Sequence, residues 1–343
     1  MKALLKKENG YGNMELVDID EPIINSDQVK IKVAYSGICG SDIHSYKGEY
    51  KNIRPPIVLG HEFSGVVVEV GSNVEGIKVG DRVTSETTFY VCGVCDYCKS
   101  GDYNLCPYRK GIGTQVNGSF AEYVAVRKES VHVLPHSIDL LSASLTEPLA
   151  CAAHATLEKT NIELGDIVLI FGPGPIGLLT AQIVKARGAY VILAGLTKDK
   201  DRFKVALELG IDKTVDIQQE NLEDIVKELT NGYGVDKVFE CSGSIRAVNS
   251  GLSLLRKKGT IIQVGLFAKS FNELDLEKII QKEICYIGSR SQKPSSWKLA
   301  LYLLETGKVN TKAIISDIYS LDDWAKGFEK VMNGEGLKIV LKP

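Results

Sequence analysis

Cys92, Cys95, Cys98 and Cys106 crowd onto one short stretch rich in glycine and lysine, with gaps of two, two and seven residues. Four thiolates at such spacing can close a tetrahedron around Zn2+, which accepts sulfur readily and is then left with no open position. An iron–sulfur cluster is the competing metal. Its cysteine run ends Cys-x3-Cys-Pro, whereas the last gap here is x7. Without a metal the four would be oxidisable thiols on one exposed loop. Cys39, Cys151, Cys241 and Cys285 are scattered. The N-terminal apolar stretch is too short for the core of a secretory signal, so the eight cysteines point to a reducing, cytoplasmic setting. There thiols serve metals or catalysis rather than disulfides.

A second constellation is spread over three segments. Cys39-Gly-Ser-Asp-Ile-His44 follows the strand pattern at Val29–Val33, and Gly60-His61-Glu62 precedes another beginning at Ser64. Leu145-Thr-Glu147-Pro-Leu-Ala-Cys151-Ala-Ala-His154 adds a carboxylate, a thiol and an imidazole. A thiolate, an imidazole and a carboxylate at strand ends can furnish an open, catalytic zinc site. Each is unremarkable alone: a lone cysteine is usually core, a His-Glu pair usually surface, and Glu147 would suit the first turn of a helix through the dipole.

The third feature is a glycine loop. The apolar run Asp166–Phe171 leads directly into Gly172-x-Gly174-Pro175-Ile176-Gly177 and then a helical pattern. Glycines there let the backbone approach a pyrophosphate, whose charge meets the helix N-terminus. The motif has both flanking elements that it needs. Some 20 residues on, an acidic side chain would hold the ribose 2′-hydroxyl of NAD. At the end of the next strand the chain has Gly195, followed by Lys198, Lys200 and Arg202. A missing carboxylate with cations nearby suits a 2′-phosphate and favours NADP. The alternative is that these are solvated charges at a helix start, capped by Asp199 or Asp201. Val264 and Ser289, at later strand ends, are expected to line the same cofactor.

These residues need elements to hold them. The first ~150 residues alternate short β runs with glycine turns, among them Gln28–Val33, Ser64–Val70 and Phe120–Val126. From about Glu163 strands and helices alternate: Tyr190–Ala194, Lys237–Glu240, Thr260–Val264 and Ile284–Ile287 are strand-like, with helical stretches between. Such alternation predicts an α/β, doubly wound parallel sheet. An amphipathic helix over Ser296–Leu304 and a strand at Gly336–Leu341 close the chain. The length of 343 residues fits two domains. A net charge of −2 gives no reason to expect nucleic acid or membrane as partner. The uncharged stretch Ile167–Val184 is interrupted by Gly172–Gly177, so it reads as strand, turn and helix rather than a span.

Gly60-His-Glu-x2-Gly65-x5-Gly71-x2-Val74, with Cys39 upstream and the four-cysteine loop downstream, resembles the zinc-containing medium-chain dehydrogenases over essentially the whole chain. Cys39-Gly-Ser-Asp-Ile-His and Glu147-Pro are most similar to its polyol (sorbitol), threonine and butanediol branch. The resemblance implies a Rossmann domain (153–291) inserted in a β-rich GroES-like catalytic domain (1–152 and 292–343). It implies two zinc ions per chain: a structural one on the four cysteines, and a catalytic one on Cys39, His61 and Glu62. Glu147 completes the catalytic set as ligand or water-mediated neighbour, with Cys151 as the alternative. The chemistry is hydride transfer between a secondary alcohol, a polyol or sugar alcohol favoured, and NAD(P). Zinc would polarise the hydroxyl. Ser41 would carry the proton first, with His44 next in the relay or near the ribose, although a serine in such a turn is commonly a local cap. Asp42 would orient His61. Arg290 falls where polyol-type relatives place an arginine near substrate, and a surface salt bridge is its other reading. A homotetramer is expected, with a dimer second. Threonine or a simple secondary alcohol is the runner-up substrate. A non-catalytic dinucleotide-binding regulator is the reading from another class.

Overall fold

The alternation in Gln28-Val-Lys-Ile-Lys-Val33 extends further than its apolar pattern and forms the ten-residue strand Gln28–Gly37. Val29, Ile31 and Val33 point to one face, where they pack with Phe63, Val67, Val83 and Val124. Burying each such side chain contributes about 1.5–3 kcal/mol. This strand is central to a seven-stranded sheet. In order the sheet runs Val131–Val133, Arg82–Ser85, Glu62–Val70, Gln28–Gly37, Lys338–Lys342 and Ile315–Ser320, with Tyr123–Arg127 also paired to the central strand. Gly37 lies opposite Glu62 on one side and Val340 on the other. The hairpin Lys2–Lys6 with Met14–Asp18, and the strand Ile315–Ser320, are additions to the sequence reading. The first is short and polar on one face, and the second alternates too weakly to register.

The computed structural model describes residues Met1–Pro343. They form two units, one of Met1–Glu147, Lys293–Glu305 and Ile315–Pro343, the other of Pro148–Gln292 and Thr306–Ile314. The first holds the antiparallel sheet and the second a sheet of six parallel strands. Their spatial order is Lys213–Asp216, Tyr190–Gly195, Ile167–Phe171, Val235–Glu240, Leu255–Gln263, Cys285–Gly288. The winding reverses between Ile167–Phe171 and Val235–Glu240, and the crevice outside the carboxyl ends of strands at such a point is where this topology binds ligands. Its core is Leu169, Ile192, Val215, Val238, Leu252 and Ile261, among others.

Three stretches depart from the expected division. Residues 148–152, Gln292 and Thr306–Ile314, expected with the β-rich part, are all grouped with the parallel sheet. In the last of them Val309 is buried, and Asn310 N donates to Gln182 Oε1 at 2.7 Å. The uncharged stretch resolves into strand Ile167–Phe171, a glycine turn and helix Pro175–Ala186. No helix is long and apolar enough to cross a membrane.

Candidate active site

Cys39 lies two residues past the central strand, as the N-cap of helix Gly40–Tyr46. Asp42 reaches back one turn, its Oδ2 accepting from Cys39 N at 2.9 Å, which fixes the turn that carries the thiol. Gly60 has φ of +87°, a left-handed conformation that a side chain would strain, and a Cβ there would meet the Phe120 ring at 2.6 Å. That turn delivers His61 to the start of strand Glu62–Val70. The ligand atoms of Cys39, His61 and Glu62 then all lie within 4.8 Å of one another. His61 presents Nδ1 to Asp42 Oδ1 at 3.7 Å, and its Nε2 is 3.5 Å from Ser41 Oγ. Burial disfavours the imidazolium, but Asp42, Cys39 and Glu147 together hold the His61 pKa well above its usual value. Soft sulfur, imidazole and carboxylate converging from two segments form a donor set that fits zinc.

Glu62 has a second partner that sequence reading missed. Lys338, on the C-terminal strand, is buried and ion-paired with Glu62 Oε2. Burial lowers the lysine's proton affinity, but Glu62, Cys39 and Glu147 outweigh it and raise the pKa overall. The two side chains meet across the central strand at Gly37, where a Cβ would sit 2.5 Å from Glu62 Oε2 and 3.0 Å from Lys338 Cε. The available signal was a lone lysine inside the apolar run Leu337-Lys-Ile-Val-Leu341. A lysine there needs a carboxylate partner.

Glu147 is buried in helix Thr146–Ala153. It stands outside the three-residue cluster, yet near enough to raise the pKa of both His61 and Lys338. Cys151, one turn further along that helix, is half-buried. His44 is exposed and paired with Glu49, Nδ1 to Oε2 at 2.7 Å.

The four lobe cysteines also converge, with Sγ–Sγ separations of 3.5 Å (Cys95–Cys98), 3.7 Å (Cys92–Cys106) and 3.9 Å (Cys92–Cys98). A tetrahedron with Zn–S of about 2.3 Å has edges of about 3.8 Å, whereas a disulfide needs about 2.05 Å. Backbone N–H groups of Val94 and Cys95 hold the Cys92 thiol down at about 6, while desolvation pushes Cys98 up to about 12. Crowded sulfurs cannot all ionise without a cation between them, and zinc fits that need.

In the parallel sheet, Phe171 leads into the glycine loop, with Gly174 the N-cap and Pro175 the first residue of helix Pro175–Ala186. Strand Tyr190–Gly195 ends beside it. A Cβ on Gly195 would lie 2.8 Å from both Cγ and Cδ of Pro173 and 3.0 Å from Phe203 Cζ, so the proline ring fills the space a side chain would need. Beyond it, buried Asp199 accepts from Leu196 N at 3.0 Å and from Arg202 Nη1 at 3.2 Å. Lys198 and Lys200 are exposed. Val264 and Ser289 directly follow two strand ends, their amides bonded to Glu240 O and Gln263 O, and exposed Arg290 comes next.

Residues 25–136 match the alcohol dehydrogenase GroES-like domain and residues 175–306 the zinc-binding dehydrogenase model. D-arabitol-phosphate dehydrogenase of Enterococcus avium is 55% identical over 100% of this chain and 97% of its own. Sorbitol dehydrogenase of Halalkalibacterium halodurans is 52% identical over 100% and 99%. A Sinorhizobium meliloti chain solved with NADP bound superposes with a TM-score of 0.91 at 32% identity, covering 100% and 99%. The chain belongs to the zinc-containing medium-chain dehydrogenase family.

As a member, this dehydrogenase is an NAD(P)-dependent oxidoreductase acting on CH–OH groups, with a GroES-like domain joined to a six-stranded Rossmann sheet. Of its expected metal residues, the structure brings together Cys39, His61 and Glu62 in one cluster and the four lobe cysteines in another.

Proposed function

We propose that this dehydrogenase oxidises a polyol or a polyol phosphate at a secondary alcohol. The observation that carries the reading is the convergence of Cys39, His61 and Glu62 in a chain more than half identical, end to end, to a polyol-phosphate dehydrogenase. Cys39, His61 and Glu62 hold the catalytic zinc, with Glu147 as fourth ligand or water-mediated neighbour and Cys151 as the alternative. When bound, zinc would supply Lewis acidity toward the substrate hydroxyl and the dinucleotide would supply a hydride acceptor. Asp42 keeps the imidazole oriented through Nδ1. Ser41, 3.5 Å from His61 Nε2, is placed to take the hydroxyl proton, and His44, at the exposed end of the same helix, to pass it to water. Arg290 contacts the substrate.

Cys92, Cys95, Cys98 and Cys106 hold a structural zinc, making two per chain. The unit that holds the antiparallel sheet is the catalytic domain, and the unit that holds the parallel sheet, Thr306–Ile314 included, binds the dinucleotide. There Gly172, Gly174, Pro175, Ile176 and Gly177 would hold the pyrophosphate, and Val264 and Ser289 would line the same cofactor. Gly195, Lys198, Lys200 and Arg202 favour NADP over NAD. The enzyme is a cytoplasmic homotetramer, a dimer being the second reading, and the exposed edge strand Cys285–Gly288 is suited to pairing between subunits.

The test is reduced-cofactor absorbance with sorbitol, arabitol, their phosphates, butanediol and threonine, each with NAD and NADP. Turnover of a polyol or its phosphate above the other alcohols is expected. Preference for threonine, or no turnover of any alcohol by zinc-loaded protein, overturns the reading.

A further inference from the structure

Glu240 ends strand Val235–Glu240 of the parallel sheet, beside Ile167–Phe171 at the point where the winding reverses. It is fully buried, and every group that meets its carboxylate is a donor. Oε1 accepts from Ser242 N at 2.8 Å, from the Ser242 hydroxyl, and from Ser244 N at 3.5 Å. Oε2 accepts from Gly243 N at 2.9 Å and from Gln263 Nε2 at 2.6 Å. Gln263 is held in that orientation because Nε2 also donates to Gly265 O and Oε1 accepts from Tyr286 Oη at 3.0 Å. Backbone N–H groups turned inward onto one carboxylate force the turn Cys241–Ser244 into a single shape.

That turn is a wall of the glycine loop. Cys241 N donates to Phe171 O at 2.9 Å, and a Cβ on Gly172 would lie 2.9 Å from Ser242 Cβ. A Cβ on Gly265 would lie 2.3 Å from Gly243 N and 2.9 Å from Glu240 Oε2. The turns that leave Ile167–Phe171, Val235–Glu240 and Leu255–Gln263 are therefore packed backbone to backbone around this carboxylate, at the carboxyl ends where a dinucleotide binds.

We propose that Glu240 is a positioning residue for the dinucleotide, holding the Cys241–Ser244 turn against the glycine loop so that the cofactor meets a preformed wall. The inference rests on the reading of Gly172–Gly177 as the dinucleotide loop. Glu240 touches no reacting atom. A wall equally present in the ground and transition states affects cofactor binding more than the chemical step.

The experiment is Glu240→Gln in the full chain, with NADH and NADPH binding followed by fluorescence titration. Glutamine keeps the shape but turns an NH2 toward a backbone N–H, of Ser242 or of Gly243, that can only donate. The dissociation constant of the better-bound cofactor is expected to rise at least tenfold. Amides of Ser242 and Gly243 should exchange faster with deuterium, and KM for the cofactor should rise with kcat changed less than about threefold. Glu240→Asp should recover part of the affinity. A folded Glu240→Gln variant that binds both cofactors as wild type does overturns the proposal. Should that variant not fold, Gln263→Leu, which removes one donor to the carboxylate, decides instead: weaker binding supports the proposal and unchanged binding overturns it. Wild-type protein that binds neither dinucleotide overturns the loop reading itself, and this inference with it.

Discussion

Glu62 and Lys338 come from strands on either side of Gln28–Gly37 and meet over Gly37 because that residue has no side chain. Both are buried, so neither charge is screened by water and each depends on the other. Removing one partner of such a pair costs about 3–5 kcal/mol. In protein stripped of zinc, Lys338→Met is expected to lower the unfolding free energy, measured by urea titration, by that amount. The double change Glu62→Gln with Lys338→Met should recover most of it. A single variant as stable as wild type would show that the pair contributes nothing. Gly37→Ala acts on the same point differently, by driving a methyl group into both side chains. It should cost about 1–3 kcal/mol from overpacking and leave one zinc per chain by elemental analysis. Two retained zincs would mean that Glu62 can move aside without releasing the metal.

Two elements carry their own predictions. The cysteine lobe is tied to the β-rich unit apart from any metal: Tyr103 donates its hydroxyl to buried Glu86, and Lys293 pairs with Asp102 at 3.1 Å. Cys95→Ser should therefore loosen the lobe rather than unfold the unit. Limited proteolysis is expected to cut within residues 92–106, with one zinc lost per chain. An uncut lobe would show that its packing suffices without the fourth thiolate. The loop after Tyr190–Gly195 is where the proposed cofactor preference is tested. If Lys198, Lys200 or Arg202 meets a 2′-phosphate, kcat/KM should favour NADP by about ten- to a hundredfold, as one charge-assisted contact of roughly 1.5–3 kcal/mol provides. Gly195→Asp alone should weaken both cofactors, because its Cβ collides with Pro173. Gly195→Asp combined with Pro173→Ala should reverse the preference. A wild-type preference for NAD would reduce the cations to solvated charges, and the Asp199–Arg202 pair, at 3.2 Å, is how one of them would then be occupied.

At the scale of the whole molecule, the parallel sheet ends on Cys285–Gly288, a strand paired only to Leu255–Gln263. Its outer N–H and C=O groups remain available for another strand. Leu266, Phe271, Leu276 and Ile280 in the neighbouring stretch are exposed. An edge flanked by apolar side chains is suited to a second subunit, so light scattering is expected to give four times the 37.5 kDa chain mass, or twice that mass for the dimer. A mass of one chain would refute both.

The amino-acid sequence alone determined the donor types and their order, the four-cysteine lobe, the glycine loop and the change from antiparallel to alternating α/β texture. Each is a matter of local spacing or period: Cys92 to Cys106 lie on one loop, and Phe171 runs straight into Gly172. The missed Ile315–Ser320 strand and the Thr306–Ile314 segment show where period ran out, since one is held by the strand Lys338–Lys342 and the other by Gln182. The resemblance already grouped Cys39, His61 and Glu62, and only the tertiary structure left Glu147 outside their cluster and showed that Lys338 answers Glu62. It alone decided that Pro173 fills the space over Gly195 and that Glu240 gathers three turns. Those contacts join residues far apart in the chain. They depend on which strands lie side by side and how closely their backbones approach, and no local pattern around any one of those residues encodes that.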